Sequence, residues 1–169
     1  RYDPAMTATA APPARRSAQE QVRLDAALAD LFERRITFNQ TLGLAVESAR
    51  TPAPRIRFAM RPELIGHFQH GRLHGGVISA ALDAMGGFAL MVAIGEKHAD
   101  EDTMQVLHRF AKMGTIDLRI DYLRPGTGAH FVASAEVTRL GGRIGSTQMR
   151  LVNDQGALIA TGAAAYVIS

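Results

Sequence analysis

Between residues 73 and 94 the chain is apolar on nearly every face. Leu73, Val77, Ile78, Leu82, Met85, Phe88, Leu90, Met91, Val92 and Ile94 recur among alanines with no polar stripe. A helix with that pattern is expected to be buried all round. The run from Val77 to Ile94 is long enough to cross a bilayer. Asp83 at its centre, the Gly86-Gly87 pair and the alternating segments downstream argue instead for the central helix of a globular core, with no membrane span.

The flanking pattern supplies the remaining elements. Ser17 and Glu20 have capping-box spacing, and Val22, Leu24, Leu28, Leu31 and Phe32 follow at near-helical intervals, which predicts an amphipathic helix over 18–35. Residues 38–44 lead into a strand over 44–49, broken by Thr51-Pro52-Ala53-Pro54. Ile56, Phe58 and Met60 define a second strand over 55–60, which Pro62 ends. Residues 64–72 read as a loop delivering the chain to the central helix. The charged segment 96–112 reads as a short exposed helix with loops.

From residue 115 the period changes to two. Residues 115–122 alternate cleanly, as a half-buried strand should. A turn over 124–128 follows. Strands are then expected over 130–138, 143–152 and 158–168, joined by a Gly141-Gly142 hairpin and a turn over 153–156. The sum is six strands with one long helix between the second and third. An α+β architecture follows, in which a curved antiparallel sheet wraps the central helix and an extra helix precedes it.

Composition narrows the field. The 169 residues suit one domain, expected over 17–169. The Pro- and Ala-rich stretch 1–16 reads as a disordered arm. There is no cysteine, which excludes a thiol nucleophile, thiolate metal sites and disulfides, and fits a reducing compartment. The opening stretch lacks an apolar h-region, so no signal peptide and a cytoplasmic location are expected. A net charge of +3 is too weak to argue for nucleic acid, but suits an anionic small molecule.

The candidate chemistry sits in the central helix. A lone carboxylate, Asp83, is costly among apolar neighbours unless its charge is held or used. Gly75 and Gly76 stand where the helix begins, so backbone donors are open there and the helix dipole favours developing negative charge. His67, His70 and His74 with Asp83 have the composition of a zinc set. A Gly-rich loop is a poor rigid frame for one, and no metal or other cofactor is expected. His98, His108 and His130 read as surface or loop residues.

His74-Gly75-Gly76, with Asp83 nine residues after the histidine, resembles the active-site signature of hotdog-fold acyl-CoA thioesterases. The branch is the PaaI-like one, named for phenylacetyl-CoA thioesterase. The segment from Met113 to Gly126 resembles the third strand of that branch and the Pro turn after it. The resemblance runs over about 38–169. It implies a hotdog fold and hydrolysis of acyl-CoA to free acid and CoA, with coenzyme A present only as part of the substrate. It implies that the Gly75 N–H polarises the thioester carbonyl, that Asp83 is general base or nucleophile, that His74 shapes the loop and orients substrate, and that Thr115 steadies the attacking water. Related sequences commonly carry an asparagine in the loop that precedes the His-Gly-Gly; His67 stands at the matching position, with His70 nearby.

Ser79 and Ala80 one turn before Asp83, and Gly86 and Gly87 one turn after, share its face and leave room for a flat thioester. Gly76, His67 and Ser79 are therefore candidate substrate contacts. Arg124, Arg139 and Arg143, at strand ends or turns, are candidates for the CoA phosphates. The small residues favour medium or long fatty chains, with aryl-acetyl groups next. Gly75 and Asp83 are eight residues apart, about 12 Å along a helix, too far for one carbonyl to meet both. A homodimer with active sites shared between subunits is therefore expected, and the resemblance adds a dimer of dimers. The alternative is a non-catalytic acyl-CoA-binding or regulatory domain, against which an uncompensated carboxylate argues. A hydratase on the same fold pairs histidine and acid across a different motif.

Overall fold

The computed structural model describes residues 15–169. The arm expected over 1–16 lies almost wholly outside the described residues. Its last residue, Arg16, sends its guanidinium to the carbonyls of Gly95 and His98. Those carbonyls end the long central helix, α3, Gly75–Lys97. A cation there satisfies acceptors the helix cannot and complements its dipole.

The N-terminal helix is shorter than its periodicity suggests. α1 spans Ala18–Asp30 and widens into a π-turn over Leu31–Arg35. A short helix, α2, Thr37–Leu42, follows where the chain was expected to run towards a strand. The resulting elbow has a physical anchor. Phe32 is fully buried with its ring 4.9 Å from that of Phe88 on α3. Buried Asn39 donates its side-chain N–H to the Phe32 carbonyl at 3.0 Å, filling an acceptor that the widened turn leaves open. Only half of the capping box forms. Ser17 accepts the Glu20 N–H, but the Glu20 carboxylate binds the N–H and hydroxyl of Thr103 at 2.9 and 2.7 Å. That pins α1 to α4, Thr103–His108, and the Thr103 bonds hold the Glu20 carboxyl below its ordinary pKa.

Six strands form the main sheet: β1 Ala45–Ser48, β2 Arg55–Ala59, β5 Gly114–Tyr122, β6 His130–Leu140, β7 Ile144–Asn153 and β8 Leu158–Val167. The intervening β3, Ile65–His67, and β4, Arg72–Leu73, form a small separate hairpin where a loop was expected. The main order is β1-β2-β6-β7-β8-β5, every pair antiparallel. β6, β7 and β8 are consecutive hairpins, as the turn residues predict. β5 does not pair with its neighbour in sequence; it lies on the far edge, against β8. The sheet wraps α3, whose Leu82, Met85, Phe88 and Leu90 meet Phe131, Ala133, Met149 and Leu151 in one core. α3 is long and apolar enough to cross a membrane, but its role here is that core.

Two expectations about burial need correction. α3 is not covered all round: Val77, Ala80, Asp83, Ala84, Gly87 and Met91 form a half-buried stripe at helical spacing. And β5, read as half-buried from its alternation, is mostly exposed, with Ile116 and Tyr122 56% and 55% accessible. The cause is topological. An edge strand has a neighbour on one side only, and alternation in sequence does not reveal which strands are edges.

Candidate active site

α3 begins with His74 as its N-cap. His74 Nδ1 accepts the Gly76 N–H at 2.9 Å, and the His74 carbonyl accepts from Val77 and Ile78. Among the first-turn amides, only that of Gly75 has no acceptor within the described residues. An uncommitted N–H at a helix start, within the positive end of the dipole, is the local structure that receives a developing oxyanion. Tyr122, at the end of β5, donates to the Gly75 carbonyl at 3.1 Å and lays its ring along the glycine. It holds that turn in place from the other side.

Two turns along, Asp83 is half-buried and faces the wall of a cavity. Thr115 Oγ1 donates to its Oδ1 at 2.9 Å. Strict alternation would put Thr115 on the opposite face of β5 from Leu118. A bulge between Thr115 and Asp117 changes that, pairing Thr115 with inward-facing Tyr166 while Leu118 pairs with inward-facing Ala164. The extra residue, Ile116, re-aims the threonine hydroxyl towards the helix.

Tyr166 was not anticipated. It is 3% exposed, and its hydroxyl donates to the backbone carbonyl of Asp83 at 2.8 Å. Burial first, and then the negative charge of Asp83, push its phenol well above the ordinary value, so it stays a protonated donor. Its tip fills the notch left by Gly86: a methyl there would overlap the hydroxyl and come within 2.8 Å of Met149 Sδ and Thr147 Oγ1. Gly86, expected to leave space for substrate, is therefore a packing residue. Gly86→Ala should lower stability by about 1–3 kcal/mol through overpacking. Denaturant titration checks this; a wild-type midpoint would mean the tyrosine does not fix the helix. The available signal was Tyr166 as the one large polar-tipped residue among inward positions of the last strand.

The cavity beside Asp83 has a volume of about 280 Å3. Ala80, Ala84, Gly87 and Met91 of α3 line one side, the elbow residues Phe32, Ile36, Phe38 and Asn39 another, and Met113–Thr115 with Tyr166 the third. From the sequence, the elbow was expected only as the end of an amphipathic helix and a lead into a strand.

Other expected site residues are not gathered here. Ser79 Oγ donates back to the Gly76 carbonyl at 3.1 Å, and Gly76 spends its amide on His74. His67 lies at the end of β3 with its ring 4.7 Å from that of His70. Among the described residues no group of three or more His, Cys, Asp or Glu is placed to hold a metal. Arg124 donates to the Leu158 carbonyl at 2.9 Å, at the start of β8. Exposed Arg139 and Arg143 flank the β6–β7 hairpin, where the Arg143 carbonyl accepts from Ile168. Ten residues of extended chain, about 33 Å, separate those two ends, so the three arginines do not form one cluster in a single chain.

Comparison with known proteins adds to this geometry. The description "Thioesterase superfamily" matches residues 70–160, a span containing Gly75, Asp83 and Thr115. The chain is 32% identical over 139 residues to a protein of Escherichia coli named medium/long-chain acyl-CoA thioesterase YigI, covering 82% of this chain and 90% of that one. A crystal structure of a Shewanella oneidensis protein related to the thioesterase superfamily superposes with a TM-score of 0.82 at 32% identity, over 91% of this chain and 100% of that one. The PaaI protein from the E. coli phenylacetic acid degradation operon shares the fold at 18% identity, TM-score 0.69, over 87% of this chain and 94% of that one. The chain belongs to the thioesterase superfamily, with the hotdog fold, and is a thioester hydrolase.

Proposed function

We propose that the protein hydrolyses medium- or long-chain acyl-CoA to free acid and coenzyme A at two identical sites, each built from both subunits of a two-fold dimer. The observation that carries this reading is the separation of the two halves of the machinery. Asp83 with Thr115 sits at one end of β5, and Gly75 with Tyr122 sits at the other. Along α3 the two groups are eight residues, about 12 Å, apart.

A two-fold axis through the middle of β5 reconciles them. Antiparallel pairing of β5 with its copy would bring each chain's Thr115 end beside the partner's Tyr122 end. It would also cover the unpaired backbone of that edge, the exposed Ile116 and Tyr122, and the half-buried stripe of α3. The partner's Gly75 amide then receives the carbonyl oxygen of a thioester whose carbon faces Asp83. Asp83 activates water or attacks the carbon directly; Thr115 orients the carboxylate, and the thiolate of CoA leaves and takes a proton. In a single turnover in heavy-oxygen water, label in the Asp83 carboxylate marks an acyl anhydride.

The fatty chain is favoured over an aryl-acetyl group by the apolar cavity beside Asp83 and by the name of the E. coli relative. The test is a panel of aliphatic and aryl-acetyl CoA thioesters assayed with a thiol reagent. Free CoA is expected from decanoyl- and longer thioesters. Tight binding of those compounds with no thiol released would replace hydrolysis with a binding or regulatory role.

A further inference from the structure

The two adjacent glycines of α3 are not equivalent. At Gly86 the space a side chain would need is already occupied by Tyr166. At Gly87 it is free: an added Cβ would meet nothing off its own helix nearer than a Tyr166 ring carbon, at 3.8 Å. Glycine in a helix interior is unfavourable relative to alanine, because it orders a freer backbone. Within the chain no packing contact requires it at 87. What Gly87 does is open the cavity wall one turn from Asp83, facing the elbow.

We propose that this cavity takes the acyl tail of the substrate, and that Gly87, with Ile36 and Phe38 of the elbow across from it, sets the length and width of tail accepted. The inference rests on the thioesterase reading above and deepens it. The cavity follows α3 from Asp83 to Met91, eight residues or about 12 Å. A ~150 Å3 apolar cavity accommodates a benzene ring; the 280 Å3 here scales to a tail of roughly ten carbons. Its lining is apolar apart from Asp83 and Thr115 at the reacting end, and Asn39 and Tyr166, whose polar tips are engaged with the carbonyls of Phe32 and Asp83. Phe38 is 57% exposed at the rim, a large apolar side chain left in water unless a tail lies against it. The segment 32–39 falls outside the 70–160 match to the superfamily, so this wall is built from chain that precedes the matched stretch.

The test uses the full chain and compares kcat/KM for hexanoyl-, decanoyl- and palmitoyl-CoA. Gly87→Ala should cut the palmitoyl-to-hexanoyl ratio by roughly tenfold, the scale of one methyl-sized change in an apolar pocket, while raising the melting temperature. Ile36→Ala, from the opposite wall, should move the ratio the other way. An unchanged ratio in both variants overturns the inference. So does a Gly87→Ala chain that melts lower or loses its wild-type oligomeric state, since the glycine would then serve close packing. Failure of the wild type to release thiol from any of the three compounds is a different result, and removes the thioesterase reading itself.

Discussion

An Asp83→Asn chain should fold and assemble as the wild type does and lose turnover by roughly 10²–10⁴-fold, the usual weight of a positioned base or nucleophile. The substitution is nearly isosteric. The asparagine carbonyl can still accept the Thr115 hydroxyl, now 2.9 Å from Oδ1, and the backbone carbonyl bonded by Tyr166 is untouched. What disappears is the charge. Because α3 packs into the sheet through Leu82, Met85 and Phe88 rather than through this carboxylate, removing the charge should not weaken the fold and can strengthen it slightly, a half-buried ion being costly to desolvate. Thiol release under saturating substrate reads the first effect and denaturant titration the second. Retention of more than about a tenth of the wild-type rate would be incompatible with either role for Asp83.

The second large effect concerns the amide at the other end of β5. Gly75→Pro deletes one N–H and adds a ring whose Cβ would meet the Tyr122 ring at 3.4 Å. The residue is the first of the helix, where proline is well tolerated. Its amide has no acceptor to lose. His74 before it is extended, with ψ 138°, as a residue preceding proline prefers. A loss of roughly 10²–10³-fold in kcat is expected, the weight of one oxyanion donor. The decisive measurement mixes this chain with Asp83→Ala. Each alone should be nearly inactive, but a mixed dimer carries one site with an intact Gly75 from one chain and an intact Asp83 from the other. Random exchange at equal concentrations should restore about a quarter of the wild-type sites. No recovery, with mixed dimers demonstrated by mass, would place both groups in one subunit and remove the shared site.

Much of this architecture was legible from periodicity. The long apolar run, the clean alternation after residue 130 and the Gly-Gly and Asn-Asp-Gln-Gly turns identified α3 and the β6–β7–β8 meander, because burial on one face leaves a period in the sequence. The separation of Gly75 from Asp83 was legible too: helix rise alone puts them about 12 Å apart in one chain. Less visible were the elements whose shape depends on distant partners. The turn of helix ending at Arg35 widens because Phe32 must reach Phe88 and Asn39 must reach the Phe32 carbonyl. Glu20 forsakes its own helix cap for Thr103, more than eighty residues away. Neither partner is a sequence neighbour, so no local pattern announces it.

The sequence by itself determined that a carboxylate stands mid-way along a wholly apolar helix, that an open glycine turn begins that helix, and that strands of period two must cover it. Those are properties of spacing and side-chain chemistry, and they hold for any packing the chain adopts. Only the tertiary structure decided which face of β5 carries Thr115, since one extra residue in a strand reverses every side chain beyond it and leaves the composition unchanged. Only it separated Gly86 from Gly87, one filled by the tip of Tyr166 and the other open onto the cavity, because adjacent helical positions point about 100° apart and what stands opposite them comes from distant chain, Tyr166 of the last strand for one and Ile36 and Phe38 of the elbow for the other.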